Sequence, residues 1–252
     1  MTQQLIRIII TALAIAAFSV AAWSQTLETA DDVLDRMNAN TQSLEDLDAT
    51  LAVATYSDGE VSLTQRIRLS LLQPDRMRQE YLAPDYLAGN LSLVTDELMW
   101  IYIAAIDTWF EKNLAELSTA EQPWLVFRQF LRGVQNEFDD YSFELLSAEG
   151  DEYYLQGTAA TDDAVYGRIE MWVNIETFVP NKRILYDVEG NLLVELRILE
   201  VEQLEGVIYL ARSMETYDEY GELRSTIHYD SVSINSGLEP ALFERVEVTS
   251  DE

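Results

Sequence analysis

The 252-residue chain is strongly acidic, with 45 Asp and Glu against 16 Lys and Arg and a formal net charge of −29. A field of this sign repels nucleic-acid phosphates, so we expect no nucleic-acid partner. The sequence has no Cys and a single His, which excludes disulfide bonds and the Cys or His clusters that bind zinc and iron. We therefore predict no metal site and no cofactor.

The first 24 residues have the pattern of an export signal. Arg7 supplies a positive charge, residues 8–22 form an apolar run, and Ala22-Trp23-Ser24 satisfies the small-x-small rule for cleavage before Gln25. The run is shorter than the roughly 20 residues that span a bilayer. We predict a cleaved signal peptide at residues 1–24 and a soluble periplasmic protein comprising residues 25–252. An uncleaved membrane anchor is the alternative.

One amphipathic helix is predicted at residues 30–41, directly after the signal. Thr29 and Asp32 have the spacing of a capping box, and Val33 and Met37 recur at helical spacing. No second helix is predicted until the middle of the chain, because the apolar period then changes from helical to alternating.

Between Leu47 and Val248 most of the chain alternates apolar with polar residues, which predicts β-strands. Asp58-Gly59 predicts a tight turn between the first two strands, and Pro74 ends the second. Further strands are predicted at residues 77–82, 91–95, 98–103, 108–112, 141–147, 152–157, 167–174, 181–186, 192–202, 207–217 and 222–232. About 11–12 strands are too many to remain flat, so we predict a single domain, mainly β, that forms an incomplete antiparallel β-barrel.

The alternation breaks once, at residues 118–132, where a short aromatic helix is predicted. Pro123 lies near its start, and Trp124, Phe127, Phe130 and Leu131 share one face. Further large aromatic residues of this part of the chain are Trp100, Tyr102, Trp109 and Phe110. Two interpretations remain open: these side chains fill a core, as large aromatics usually do, or they line a cavity that the helices close.

Catalytic patterns are not evident in the sequence. Ser225 and His228 fall in one predicted strand but point to opposite faces, which is poor geometry for a catalytic triad. The acidic pairs Asp139-Asp140 and Asp162-Asp163 look like solvated turns, and no EF-hand spacing accompanies them. We predict that the protein is not an enzyme.

Several segments together resemble the periplasmic lipoprotein-carrier (LolA) superfamily, including relatives described as outer-membrane lipoprotein-sorting proteins. The segments are Gln73-Pro74-Asp75-Arg76-Met77, Leu98-Met99-Trp100-Ile101-Tyr102, Pro123-Trp124-Leu125-Val126-Phe127 and the closing stretch from Ile234 to Phe243. The resemblance extends over about residues 29–243. One departure is Gln73, because the dedicated carriers have an Arg before the proline that contacts the lid.

The resemblance implies a half-barrel whose hydrophobic cavity takes acyl chains beneath helical lids, without catalysis. The ligand site that it implies comprises Trp100, Tyr102, Trp109, Phe110, Trp124, Phe127, Phe130 and Leu131. The implied protein is a monomeric carrier or acceptor of lipoprotein acyl chains, with an inner-membrane transporter and an outer-membrane acceptor as partners. One alternative is a carrier of free phospholipid or another lipid that works with an envelope lipid exporter. The other is an envelope scaffold domain that binds no ligand.

Overall fold

The computed structural model describes residues 28–95, 98–114, 138–162, 164–206 and 208–245. These residues form helix α1 (Ala30–Gln42) and thirteen strands. The strands are β1 (Asp46–Ser57), β2 (Glu60–Leu72), β3 (Arg76–Ala83), β4 (Leu91–Val94), β5 (Leu98–Ile103), β6 (Thr108–Asn113), β7 (Tyr141–Glu149), β8 (Glu152–Ala159), β9 (Arg168–Asn174), β10 (Pro180–Tyr186), β11 (Leu192–Leu204), β12 (Ile208–Tyr217) and β13 (Leu223–Ile234). The predicted mainly-β class is confirmed: each of the thirteen predicted ranges, which were rounded to about 11–12 strands, corresponds to one observed strand.

Helix α1 begins with the predicted capping box. The side chain of Thr29 accepts a hydrogen bond from the N–H of Asp32 (3.2 Å), and the Asp32 carboxylate accepts from both the N–H and the hydroxyl of Thr29 (2.8 Å each). These hydrogen bonds lower the pKa of Asp32. The predicted helix at residues 30–41 is confirmed, because both its cap and its apolar spacing are local properties of the sequence.

All thirteen strands belong to one antiparallel sheet in the order β6-β5-β4-β3-β2-β1-β13-β12-β11-β10-β9-β8-β7. The chain forms two meanders, and the pairing of β1 with β13 joins them at the centre of the sheet. The turn between β1 and β2 is the predicted one: Asp58 and Gly59 both have positive φ, 54° and 78°. This is the backbone conformation that the right-handed twist of a hairpin requires.

The sheet curls around helix α1. The helix contacts both β7 and β12, which are five strand positions apart. In a flat sheet five spacings would separate these strands by roughly 24 Å, far more than the 10–12 Å width of a helix. Within the described residues β6 and β7 are the unpaired edges, so the sheet is an open half-barrel, as predicted.

The apolar core lies on the face of the sheet that turns towards the helix, which we call the inner face. One buried cluster involves strands β1 to β5, β12 and β13, with Leu51, Leu69 and Met99 among its members. A second cluster packs beneath α1, where Val33 and Met37 belong to the same group as residues of β8 and β9. The helix therefore covers one half of the inner face.

The C-terminal segment is fastened to the start of β1 by Asp46. Its carboxylate, only 3% exposed, accepts hydrogen bonds from the N–H groups of Ser236 (2.8 Å), Gly237 (2.7 Å) and Leu238 (3.2 Å), and from the Ser236 hydroxyl (2.9 Å). The chain then reaches a short 3-10 turn at Pro240–Phe243, which contacts β3 and buries Phe243. In the described part of the chain, no helix combines the length and apolarity that crossing a membrane requires.

Candidate ligand-binding face

Strand register arranges the inner side chains in rows that run across the sheet. The first row passes through Ile234, Leu47, Leu71, Met77, Val94 and Met99, which are direct cross-strand neighbours. All six side chains are buried. This row closes one end of the inner face.

The following rows stay buried at the centre of the sheet, where Leu51 is 1% and Ile67 4% exposed, and become accessible towards the edge strand β6. The second row runs through Val232, Ala49, Leu69, Gln79, Ser92 and Ile101 to Phe110. In this row the side chain of Ile101 is half-buried, and that of Phe110 is 48% exposed. Two further rows contain the half-buried apolar side chains of Tyr81, Val53 and Ile227. The inner face of this half of the sheet is therefore an apolar surface that is sealed at one end and accessible towards the other.

Two tyrosines, the buried Tyr229 and the half-buried Tyr81, add polar atoms to this apolar surface. Burial raises the pKa of Tyr229 to about 12, and the nearby positive charge of Arg212 acts in the opposite direction. Burial likewise raises the pKa of Tyr81. Both phenols are neutral at physiological pH and can offer a hydrogen bond to a ligand without bringing a charge into the apolar face.

Helix α1 is held across the other half of the inner face by a pair of hydrogen bonds at its C-terminal end. The Asn40 side-chain amide donates to the carbonyl oxygen of Tyr209 (2.9 Å), and its oxygen accepts from the N–H of Tyr209 (2.7 Å). In the described sheet β12 pairs with β13 only over residues 213–217. Asn40 thus takes the place of a neighbouring strand where β12 and β13 separate.

The predicted site residues on β5 and β6 are divided between the two faces of the sheet. Phe110 lies on the inner face, opposite Ile101, whereas Trp100, Tyr102 and Trp109 point to the outer face. The Tyr102 and Trp109 rings pack at 5.1 Å, and Trp100 donates to the Glu111 carboxylate at 2.9 Å. The sequence alone indicates that these residues cannot all line one cavity, because adjacent residues of a strand, such as Trp109 and Phe110, face opposite sides of the sheet.

The other four predicted site residues, Trp124, Phe127, Phe130 and Leu131, lie outside the described residues, as does the helix predicted at residues 118–132. Their role in ligand binding stays a prediction. The residues that sequence reasoning did not select include Ile101, Val53 and Ile227. Their alternation was visible, but only the curl of the sheet shows which face they line.

The outer face of β8 to β10 carries aromatic rings stacked with cations. Trp172 stacks on Tyr154 at 4.6 Å, and the Lys182 ammonium lies 3.6 Å from the centre of the Trp172 ring. On the same face the Arg168 guanidinium covers Tyr186 at 3.8 Å. Each ring is occupied by its neighbours, so this surface is a stabilising array of cation–π contacts and not an open aromatic platform.

A cleft of about 530 Å³ lies between α1 and β7. Its apolar lining comes from Leu34, Phe138 and Phe143, and its rim carries Asp31, Asp35 and Asp139 together with polar neighbours. Carboxylates at this rim disfavour an anionic ligand head. Across the described residues, no three His, Cys, Asp or Glu side chains are grouped as a metal ion would need.

The serine and histidine considered for catalysis lie as strand geometry requires. Ser225 pairs with Thr55 on the inner face, whereas His228 pairs with Ala52 on the outer face and is exposed. The two side chains cannot form a nucleophile and base pair without a change in the strand.

Solved structures share this fold, and three of them illustrate the likeness. A DUF1329 family protein from Desulfovibrio piger is 20% identical, with a TM-score of 0.71 over 84% of this chain and 95% of its own. A candidate outer-membrane lipoprotein-sorting protein domain from Vibrio parahaemolyticus is 18% identical, with a TM-score of 0.69 over 84% and 95%. A LolA superfamily protein from Nitrosomonas europaea is 19% identical, with a TM-score of 0.65 over 86% and 98%. The chain therefore shares its half-barrel fold with these proteins, one of them a LolA superfamily member, and the predicted resemblance is confirmed at the level of the fold.

Residues 75–249 match a protein family described as "Uncharacterized protein"-like, and the chain belongs to that family. No curated protein matches the sequence at a significant level. The fold and the family are thus established, whereas ligand and partners are matters for proposal.

Proposed function

We propose that this protein is a carrier or acceptor of acyl chains, which it holds against the inner face of the half-barrel. The observation that carries the proposal is the accessible apolar surface at the β5–β6 edge of the inner face, where the buried Met99 is followed along β5 by the half-buried Ile101, and where Phe110, opposite Ile101 on β6, is 48% exposed. A core serves stability best when its apolar side chains are all buried, whereas a face that receives a ligand keeps apolar surface accessible.

The energetics of such a surface suit an acyl chain. Each methylene group transferred from water to an apolar contact contributes about 0.8 kcal/mol, so a long chain needs only partial coverage to bind. The inner face supplies branched aliphatic and aromatic contacts, with the Tyr229 and Tyr81 hydroxyls as uncharged polar groups. It offers no described arrangement of side chains that would attack a carbonyl carbon, which favours a non-enzymatic carrier.

For the ligand we propose lipoprotein acyl chains, because two proteins with the same fold are described as a LolA superfamily member and a candidate lipoprotein-sorting domain. The partners would then be an inner-membrane transporter as donor and an outer-membrane acceptor. The predicted export signal at residues 1–24 supports a soluble protein of the periplasm, and we propose that this protein is a monomer. A free phospholipid or another lipid is the second ligand class, because the same apolar face would accommodate its acyl chains.

Displacement of a fluorescent fatty acid from the purified, detergent-free protein tests the proposal. We expect the wild type to bind the probe and native mass spectra to show co-purifying lipid. Phe110→Glu should weaken probe binding, because it places a charge on the accessible part of the inner face while removing no buried side chain. Val188→Glu is the control, since Val188 is 78% exposed in the turn between β10 and β11.

Three outcomes would count against the carrier. They are wild-type protein without bound lipid or probe affinity, equal effects of the two Glu variants, and loss of the β circular dichroism in Phe110→Glu. The first would favour the scaffold interpretation, and the last would show that Phe110 belongs to the core.

A further inference from the structure

Two buried polar side chains lie on the inner face without a hydrogen-bond partner. Apart from tyrosines, the buried polar and charged residues in the described part of the chain are Asp46, Ser70, Gln79, Ser92 and Glu170. Asp46, Ser70 and Glu170 each have a hydrogen-bond partner in the structure. Gln79 and Ser92, 6% and 2% exposed, have no side-chain hydrogen bond to any residue that the structure describes.

Gln79 and Ser92 are direct neighbours. Gln79 on β3 pairs with Ser92 on β4 in the second inner row, and Cβ atoms of residues paired in this way lie about 4.5–5.5 Å apart. The row continues on one side to Leu69, 3% exposed, and on the other to the half-buried Ile101. The two side chains therefore form one polar patch in an otherwise apolar row.

The patch carries hydrogen-bond donors and no charge. Gln79 has an amide and Ser92 a hydroxyl, and Tyr81, two residues beyond Gln79 on the same face, adds a phenol. Burial raises the pKa of Tyr81, so this phenol is neutral at physiological pH. A buried polar group without a hydrogen bond destabilises the folded state. Two such groups at adjacent inner positions point to a ligand that completes their hydrogen bonds.

The patch lies within reach of the accessible edge of the inner face. From Gln79 the row leads through Ser92 and Ile101 to Phe110, which is 48% exposed on the edge strand β6. At the usual strand spacing, Ser92 is about 10 Å and Gln79 about 14 Å from β6. A long acyl chain that lies against the β5–β6 edge can therefore place a polar group over the patch.

We propose that Gln79 and Ser92 recognise the uncharged carbonyl group by which an acyl chain is joined to its carrier molecule in an ester or amide. The amide N–H of Gln79 and the hydroxyl of Ser92 donate to the carbonyl oxygen, while the chain packs against the apolar rows. This inference rests on the proposed acyl-chain function and narrows its ligand class. The carboxylate of a free fatty acid fits less well, because moving a charge into apolar surroundings costs more than moving a neutral carbonyl.

A matched pair of lipids tests the carbonyl site. Two single-chain phosphatidylcholines share chain and head, but the chain is joined by an ester in one and by an ether in the other. Both displace N-phenylnaphthylamine, an uncharged fluorescent probe, from the purified, detergent-free protein. We expect the ester to bind at least about tenfold more tightly, equivalent to about 1.4 kcal/mol. An apolar face without donors gives the opposite order, because the buried ester carbonyl loses its hydrogen bonds to water.

Gln79→Met combined with Ser92→Ala should abolish the preference for the ester and leave the affinity for the ether unchanged. The urea midpoint of this variant should stay the same or rise, because polar groups without partners are removed at similar volume. Ser92→Ala alone removes one oxygen atom and should reduce the preference without lowering the midpoint. Gln156→Met combined with Ser233→Ala makes the same exchanges on the outer face and should preserve the preference.

A second pair, a diacylated lipopeptide and its dialkyl ether analogue, distinguishes the two sources of acyl chains. An ester preference in either pair supports the carbonyl site. A preference confined to the lipopeptides assigns the site to lipoproteins, and one confined to the phosphatidylcholines assigns it to free lipids.

Equal affinity for ester and ether in both pairs would overturn the carbonyl site and leave the carrier intact. An ester preference that survives the changes at Gln79 and Ser92 would overturn it as well. A marked fall in the urea midpoint of Ser92→Ala would also count against it, since the hydroxyl would then stabilise the empty protein. Failure of all four compounds to displace the probe would reject the carrier itself.

Discussion

Replacement of Asp46 by Ala should release the C-terminal segment from the sheet. The change removes an acceptor that is 3% exposed and leaves the N–H groups of Ser236, Gly237 and Leu238 without their partner. A hydrogen bond to a charged group contributes about 1.5–3 kcal/mol. Because residues 236–237 are exposed, water replaces part of the loss, and we expect a decrease of about 3 kcal/mol in the free energy of unfolding, less than the full sum.

The same site predicts a pH dependence. Burial raises the pKa of Asp46, but the hydrogen bonds from Ser236, Gly237 and Leu238 lower it by more, so the pKa lies below its ordinary value. A carboxyl group of this kind stabilises the folded state fully above its unfolded-state pKa, near 3.9, and loses that contribution as the pH falls through the folded value. The stability advantage of the wild type over Asp46→Asn should therefore shrink below about pH 4.

Urea unfolding followed by circular dichroism, from pH 7 downwards, measures both effects. Asp85→Ala, at an exposed carboxylate in the turn between β3 and β4, is the control and should change stability by less than about 0.5 kcal/mol. An Asp46→Ala variant as stable as this control, or a difference between wild type and Asp46→Asn that is independent of pH, would refute the argument.

Four further predictions concern the helix, the core, the surface and the signal. Asn40→Ala should speed hydrogen exchange at Tyr209 and cost about 1–2 kcal/mol in urea unfolding, because two hydrogen bonds are lost. Gly157→Ala should cost about 1–3 kcal/mol, since its Cβ would lie 2.5 Å from the Phe143 ring. The melting temperature should rise from low to molar sodium chloride, because salt screens the repulsion among 45 acidic residues. Protein from the native envelope should begin at Gln25 in Edman or mass-spectrometric analysis of the periplasmic fraction.

Each of these four predictions would be contradicted by one specific result. Unchanged exchange at Tyr209 would show that Asn40 does not hold α1, and a neutral Gly157→Ala would show that the Phe143 ring moves aside. A flat salt dependence would indicate that the acidic side chains are well dispersed and do not destabilise the fold. Recovery only from washed membranes with residues 1–24 intact would identify an anchor.

The helix, the strands and the first hairpin were predictable from sequence because their causes are local. The Thr29–Asp32 cap, the positive φ at Asp58 and Gly59 and the two-residue period each depend on neighbours within a few positions. The resemblance to the LolA superfamily rested on similarly short segments, and the fold confirms it.

The composition of the candidate site depended on the tertiary structure. A two-residue period shows which side chains of one strand share a face, and it separates Trp109 from Phe110, but it does not show which face becomes the inside. The inner face is determined by the curl of the sheet around α1 and by the register of the thirteen strands. Together they bring residues as distant in sequence as Ile227, Val53 and Ile101 onto one surface. Likewise, Arg183 looks ordinary in an alternating sequence. Only long-range pairing places it beside the buried Met171, because the environment of a strand residue is set by strands that are far away in the chain.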